Sequence, residues 1–253
     1  MPRNLWTHDE MVLTLDLYFR LPFGRLVRTN PDIIELANLI GRTNSAVALR
    51  LVNYAACDPV IVESGRTGMV GGYSTCKPIW DEYIEQKEKL FYEAQEIKAR
   101  LLKSTVEKVL HIQESELKGL DRLAYVKQRI NQQAFRTMVL NYYEQRCAIT
   151  GINIPELLVA SHIIPWAENP EERLNPENGI CLSALYDKAF DKGYISIDNQ
   201  YRVILSDTLK QYRNESFFEK HFTAIEGAKI HLPDYHRPSK LFLEWHRDVI
   251  FKR

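Results

Sequence analysis

The sequence predicts an α+β protein, helical through its first half and built around two strands and a short helix in its second. Three observations carry that reading. Capped helical periods recur from Thr7 to Tyr54, the stretch from Trp80 to about Ile112 holds neither Pro nor Gly, and two short apolar runs, LLVASHI and GICLSAL, follow residue 150. Helical stretches repeat their apolar residues with a period of about 3.6, whereas short apolar runs bounded by turn formers suit buried strands. The expected organisation is a helical domain over 1–80, a helical connector over 81–120 and a strand-bearing domain over 121–253.

The elements follow in order. Thr7 and, three residues on, Glu10 form the pair in which two side chains cap each other's backbone donors, so a helix is expected from about Thr7 to Leu21. In NPDIIELANLIGRTNSAVALRLVNY, Asn30 caps a helix, Pro31 takes its first position, Gly41 ends it and Thr43 caps the next. Val60 to Ile79 is glycine-rich with short β-branched pieces, which predicts a small hairpin or loop. From Trp80 the residues Leu90, Ala94, Ile97 and Leu101 recur at helical spacing, giving one long amphipathic connecting helix with room for one break. ESELKGLDRL around Gly119 marks a boundary, after which Ile130, Phe135, Met138, Val139 and Tyr142 share a helix face. A strand follows, then a loop with Pro165, Pro170 and Pro176, a second strand, a helix over DKAFDKG, and mixed hairpin and helix to Arg253.

Composition excludes several classes. Lys plus Arg and Asp plus Glu number 33 each, so no overall charge draws the chain to nucleic acid or membrane, and any nucleic-acid surface has to be local. Cys57, Cys76, Cys147 and Cys181 stand singly with no CxxC pair, which announces neither a disulfide framework nor a structural zinc. No apolar run approaches the roughly 20 residues of a membrane span, and MPRNLWTHDE lacks the apolar centre of a secretory signal, so a cytoplasmic protein is expected.

His162 closes the first apolar run, where Pro165 stops a regular ladder, and an imidazole of reference pKa near 6.5 can accept a proton at neutral pH. Taken alone, such a histidine is more often a hydrogen-bonded core residue, while Asn178 can equally be a turn residue before Gly179 and Asp187 equally the cap of the DKAF helix. Together they supply a base, an ordering amide and a hard anionic ligand, the kinds of group that phosphodiester hydrolysis needs.

The run RCAITGINIPELLVASHIIPWAENPEERLNPENGICLSALYDKAFDKGYISID resembles the HNH endonucleases, the ββα-metal nucleases, and within them the branch found among restriction endonucleases. CxxTG, LLVASHIIPW, NPENGICL and DKAFDKG occur in the family's order and spacing, and RINQQAFR extends the likeness upstream. The resemblance implies that His162 is the general base, that the Asn178 amide ties the long loop to the strand, and that Asp187 holds a divalent cation, Mg²⁺ or Mn²⁺. It also implies 5′-phosphate and 3′-hydroxyl ends and a prokaryotic source. Two departures stand out. Ser161 occupies the place where relatives commonly carry a second acidic ligand, leaving Asp187 with water and phosphate or with Asp191, four residues on and on the same helix face. The zinc cysteines of many relatives are absent, with Ser183 and Tyr186 near the second pair's positions, so packing has to stabilise this domain. Arg129, Arg136, Arg173, Lys188 and Lys192 are candidate phosphate contacts, with an ordinary solvated surface as the alternative.

In the first domain, Ala37, Gly41 and Val47 are spaced as in a helix-turn-helix, which NPDIIELANLIGRTNSAVALRLVNY resembles. That likeness implies a DNA-reading helix from Asn44 with Arg42, Asn44, Ser45 and Arg50 nearest the bases, and a wing over Ser64 to Tyr73 that touches phosphate through Arg66. Arg50 stands where the motif prefers an apolar residue, so Leu51 takes the packing role; a plain helical hairpin fits the apolar pattern nearly as well. The expected activity is metal-dependent cleavage of double-stranded DNA, as a restriction enzyme whose first domain reads sequence or base modification. Two alternatives stay open: a regulator on an inactive nuclease scaffold, and a non-specific nuclease or toxin. One active site cuts one strand, so a homodimer formed through the connector or successive nicks would complete a double-strand break.

Overall fold

A computed structural model describes residues 5–66, 68–113 and 121–252. The chain divides into two compact units, Met1–Ala134 and Phe135–Arg253, with the division inside a helix. No helix among the described residues is long and apolar enough to cross a membrane.

The first unit is organised around α1 (His8–Arg20). Its start has the expected reciprocal cap: Glu10 N–H donates to Thr7 Oγ1 at 3.3 Å and Thr7 N–H to the Glu10 carboxylate at 2.8 Å. Every residue from Met11 to Phe19 is buried, which is the signature of a helix enclosed on all sides. The one acid in that run, Asp16, accepts from Arg20 Nε at 2.9 Å and Nη2 at 2.7 Å. α2 (Pro31–Ile40) and α3 (Asn44–Ala55) pack on it, and their ends are as expected: Asn30 and Thr43 cap, Pro31 opens α2, and Gly41 takes the left-handed conformation at φ 67°. Val47 and Leu51 of α3 are fully buried.

The stretch after α3 differs from expectation. Val60 to Ile79 forms no hairpin or wing among the described residues; its ends belong to α4 (Pro59–Glu63), capped by Asp58, and to α5 (Tyr73–Tyr83), and the loop that is the other expectation lies between them. Two of the glycines between them, Gly68 and Gly72, serve close packing. A Cβ on Gly68 would lie 2.3 Å from the Ala56 backbone nitrogen, and one on Gly72 2.1 Å from Asn53 Nδ2. The long helix expected from Trp80 to Ile112 is also broken twice, giving the end of α5, α6 (Lys87–Leu101) and α7 (Val106–Val109). Thr105 marks the second break by accepting from Lys108 N–H, while neither Gly nor Pro announces the first. α6 packs against α1, and its apolar residues Leu90, Phe91, Ala94 and Ile97 are buried inside the first unit. The boundary expected around Gly119 lies outside the described residues.

α8 (Arg122–Tyr142) brings Phe135, Met138 and Val139, all buried, into the second unit. There β1 (Leu158–His162) and β2 (Gly179–Ser183) pair antiparallel, with Leu158 opposite Ser183 and His162 opposite Gly179. α9 (Ala184–Asp191) covers both strands; it begins three residues before the expected DKAFDKG segment, with Ser183 at its N-cap. β3 (Ile195–Ile197) and β4 (Val203–Leu205) form a second hairpin, followed by α10 (Asp207–Lys210), α11 (Ser216–His221) and α12 (Lys240–Val249). Cys147 is fully buried and its sulfur accepts from Ser183 N–H at 3.2 Å.

If Gly68 is glycine because the backbone of α3 leaves no room for a Cβ, Gly68→Ala should destabilise the protein by about 1–3 kcal/mol. Thr7→Ala, which removes the α1 cap, should cost about 1 kcal/mol. Chemical denaturation followed by helical circular dichroism measures both; a neutral Gly68→Ala would contradict the packing account.

Candidate active site

β1 and β2 set the site because their register fixes what lies around His162. Gly179 faces it across the ladder, and a Cβ there would sit 2.5 Å from Val139 Cγ2 and 2.9 Å from Phe135 Cζ. The missing side chain leaves space for the Phe135 ring, which stacks on the His162 imidazole with centroids 3.7 Å apart and planes 12° apart. Trp166 meets the same imidazole edge-on at 5.4 Å.

The loop from β1 to β2 is closed by Asn178, which is 1% exposed. Its Oδ1 accepts from Ile164 N–H at 2.8 Å, and its Nδ2 donates to the carbonyls of Ile164 at 3.1 Å and Glu172 at 3.3 Å. The closed loop carries the Arg173 carbonyl to 3.1 Å from His162 Nε2. A carbonyl only accepts, so Nε2 holds the proton and Nδ1 is the bare, proton-accepting nitrogen. Burial lowers the His162 pKa to about 4, with the Arg173 carbonyl working in the opposite direction and the Arg173 charge in the same one. The ring is therefore neutral at pH 7.

A cleft of about 390 Å³ brings Ser161, His162, Asp187, Lys188, Asp191 and Lys192 together. Asp187 sits in the fourth position of α9 and does not cap it. Burial raises its pKa, against the pull of the Ser161 hydroxyl and Lys188. Burial and then the Asp187 charge raise that of Asp191. The Ser161 hydroxyl is buried and makes no well-aligned hydrogen bond, although it is near enough to Asp187 to lower that carboxyl's pKa. Among the described residues no cluster of three or more His, Cys, Asp or Glu forms a ready metal cage.

The other sequence candidates scatter. Lys188 and Lys192 are exposed at the cleft. Arg173 Nε donates to the Trp166 carbonyl at 2.7 Å and its guanidinium lies 5.2 Å from the Trp166 ring centre, so it braces the loop. Arg136 Nη1 donates to the Leu158 carbonyl at 2.7 Å and Nη2 to that of Pro155 at 3.1 Å, fastening α8 to the start of β1. Arg129 is exposed on the part of α8 that belongs to the first unit. In that unit Arg42 pairs with Glu10 at 2.8 Å, and Arg42 and Arg50 lie 4.8 and 4.7 Å from the Trp6 ring centre. Arg50 also reaches Cys76 Sγ at 3.5 Å, while its Nε is buried without a partner. Asn44 and Ser45 border an open depression with Arg28 and Thr29.

Sequence reasoning missed Phe135 and Trp166 as neighbours of His162, and His246, which is 1% exposed and lines the same cleft. The glycine opposite His162 was a usable signal for Phe135, since a strand glycine often marks a close approach. Nothing local marks His246.

The depressed histidine pKa values give a stability prediction. His246, like His162, is lowered by burial to about 4, while an unfolded chain titrates its histidines near 6.5. Between these values the unfolded state binds more protons, so both contributions are complete above about pH 6.5 and are lost as pH falls towards 4. The unfolding free energy should fall by up to about 2.7 kcal/mol per pH unit in that window from these two groups. His162→Phe should reduce the slope by up to half; an unchanged slope would contradict the burial assignment.

Residues 147–198, which hold β1, the loop, β2, α9 and β3, match the family model described as HNH endonuclease. A search of curated proteins finds no match to the chain. The second unit thus contains a segment similar to the HNH endonucleases, with His162, Asn178 and Asp187 inside it.

Proposed function

We propose that this protein is a metal-dependent endonuclease that hydrolyses phosphodiester bonds of double-stranded DNA. The observation that carries the reading is the bare Nδ1 of a neutral His162 in a cleft shared with Asp187, within the matched segment. The donors there suit a hard cation such as Mg²⁺: a bound cation would offset the burial that raises the Asp187 pKa, and the buried Ser161 hydroxyl, which makes no well-aligned hydrogen bond, lies beside that carboxyl. Asp187 would hold the ion, with Ser161 and Asp191 as the nearby oxygens. When bound, such an ion supplies neutralisation of the charge that builds on the phosphate and leaving oxygen.

His162 Nδ1 would take the proton from the attacking water as its oxygen bonds to phosphorus and the P–O3′ bond breaks, the departing 3′ oxygen taking a proton from solvent, while the proton already on Nε2 stays there, donated to the Arg173 carbonyl. The resulting imidazolium keeps that hydrogen bond, which favours the charged ring. Asn178 acts through the loop by keeping that carbonyl in place. Lys188 and Lys192 meet the phosphate backbone at the cleft mouth and give affinity that weakens with salt.

In this proposal the enzyme restricts foreign DNA, and the first unit supplies the address through α2 and α3. Ser45, which is exposed, and Asn44, which borders the same open depression, are the readers best supported, while the engagement of Arg42 and Arg50 with Trp6 favours a second reading, a nuclease of low sequence preference. Methylated and unmethylated plasmid and phage DNAs, incubated with Mg²⁺ or Mn²⁺, separate the two. Discrete fragments support an address and a smear supports low preference.

His162→Ala should lower cleavage by about 10²–10⁴-fold with DNA affinity retained. Asn178→Ala should lower kcat, and it should cost about 1–3 kcal/mol of stability because buried backbone groups lose their partners. Binding of DNA without cleavage by the wild-type protein in either metal would overturn the proposal in favour of a regulator.

A further inference from the structure

The last described helix, α12, lies outside the matched segment, yet it reaches the cleft. His246 stacks on Phe190 with centroids 3.7 Å apart and planes 9° apart. Its Nε2 is 3.1 Å from the Phe190 carbonyl and its Nδ1 is 2.8 Å from Ser196 Oγ. The carbonyl only accepts, so Nε2 donates to it and Ser196 donates to Nδ1. Both ring nitrogens are spent, and His246 has no free nitrogen for proton transfer. It instead joins the last turn of α9 to β3.

The chain just beyond α9 is clasped by the same segment. Gly193 turns at φ 69°, where a Cβ would lie 2.0 Å from the Ile250 carbonyl oxygen, and Lys252 N–H donates to the Gly193 carbonyl at 3.0 Å. The Lys252 ammonium lies 3.8 Å from the centre of the Tyr194 ring. α9 is only eight residues long and begins without a side-chain cap. Its far end is closed by backbone bonds from Gly193 N–H to the Phe190 carbonyl and from Tyr194 N–H to the Ala189 carbonyl, both at 2.8 Å, so the turn that His246 and Lys252 hold is the one that ends the helix.

We propose that α12 forms a working wall of the active site and that His246 is a positioning residue, holding α9 so that the Asp187 carboxylate stays opposite Ser161 and His162. Phe190 is about one helical turn beyond Asp187, so a shift at the clamp reaches the carboxylate directly. The kinetic consequence rests on the nuclease reading, whereas the effect on α9 does not. Supporting residues of this kind act through the group they orient.

The test compares the full-length wild type with His246→Phe, His246→Gln and Ser196→Ala. Phe keeps a stacked ring without either hydrogen bond, and Gln keeps an amide that can donate and accept. Amide hydrogen exchange over residues 187–193 and the kcat and KM for plasmid nicking are read on each. His246→Phe should raise exchange in α9 by about 10-fold and lower kcat by about 10-fold with little change in KM, and His246→Gln should restore most of both. Ser196→Ala should show a smaller change of the same kind, and it decides the clamp if His246→Phe does not fold. Unchanged α9 exchange in the folded variants would overturn the clamp. Faster exchange with unaltered kcat, or equal losses in the Phe and Gln variants, would overturn the positioning role. A wild type that cuts no DNA would refute the nuclease reading, and the exchange measurement would still decide the clamp.

Discussion

The Asn178 side chain, buried between β1 and the loop that follows it, makes three hydrogen bonds to the backbone: two to Ile164 and one to the Glu172 carbonyl. A primary amide can donate and accept at once, and here it occupies both the N–H and the C=O of one residue where the strand ladder has stopped. The rest of the site depends on that closure. The Arg173 carbonyl, next along from Glu172, receives the His162 Nε2–H and so determines which nitrogen is left bare. Asp or Ala at position 178 would leave buried backbone groups unpaired and release the loop that sets the histidine tautomer.

The second unit uses one device twice. His162 and His246 each lie flat on a phenylalanine at 3.7 Å, each donates from Nε2 to a main-chain carbonyl, and burial holds each neutral. They differ at Nδ1. Ser196 fills that position for His246, while the corresponding nitrogen of His162 has no hydrogen-bond partner among the described residues. The contrast separates a ring that carries load from a ring that can accept a proton, and it follows from geometry without appeal to the family.

Much of this was legible in the sequence where the determining interaction is local. The caps at Thr7, Asn30 and Thr43 and the left-handed end at Gly41 are set within a few residues, and they stand where the sequence places them. The two strands are likewise marked by apolar runs flanked by Pro and Gly. Glycines misled where packing was the cause, since Gly68 and Gly72 read as loop formers but make room for α3. Arg136 and Arg173 read as phosphate contacts because a sequence shows their charge and not the carbonyls they reach. His246 was illegible for the same reason, its partners Phe190 and Ser196 being about 50 residues away in the chain.

A neutral His162 with its proton on Nε2 is what the geometry demands, and ¹⁵N chemical shifts of the imidazole nitrogens report that state directly. Spectra of the ¹⁵N-histidine-labelled protein at pH 7, assigned by comparison with His162→Phe, should show a protonated Nε2 and a bare Nδ1 at position 162. A protonated Nδ1, or an imidazolium at that pH, would contradict the account.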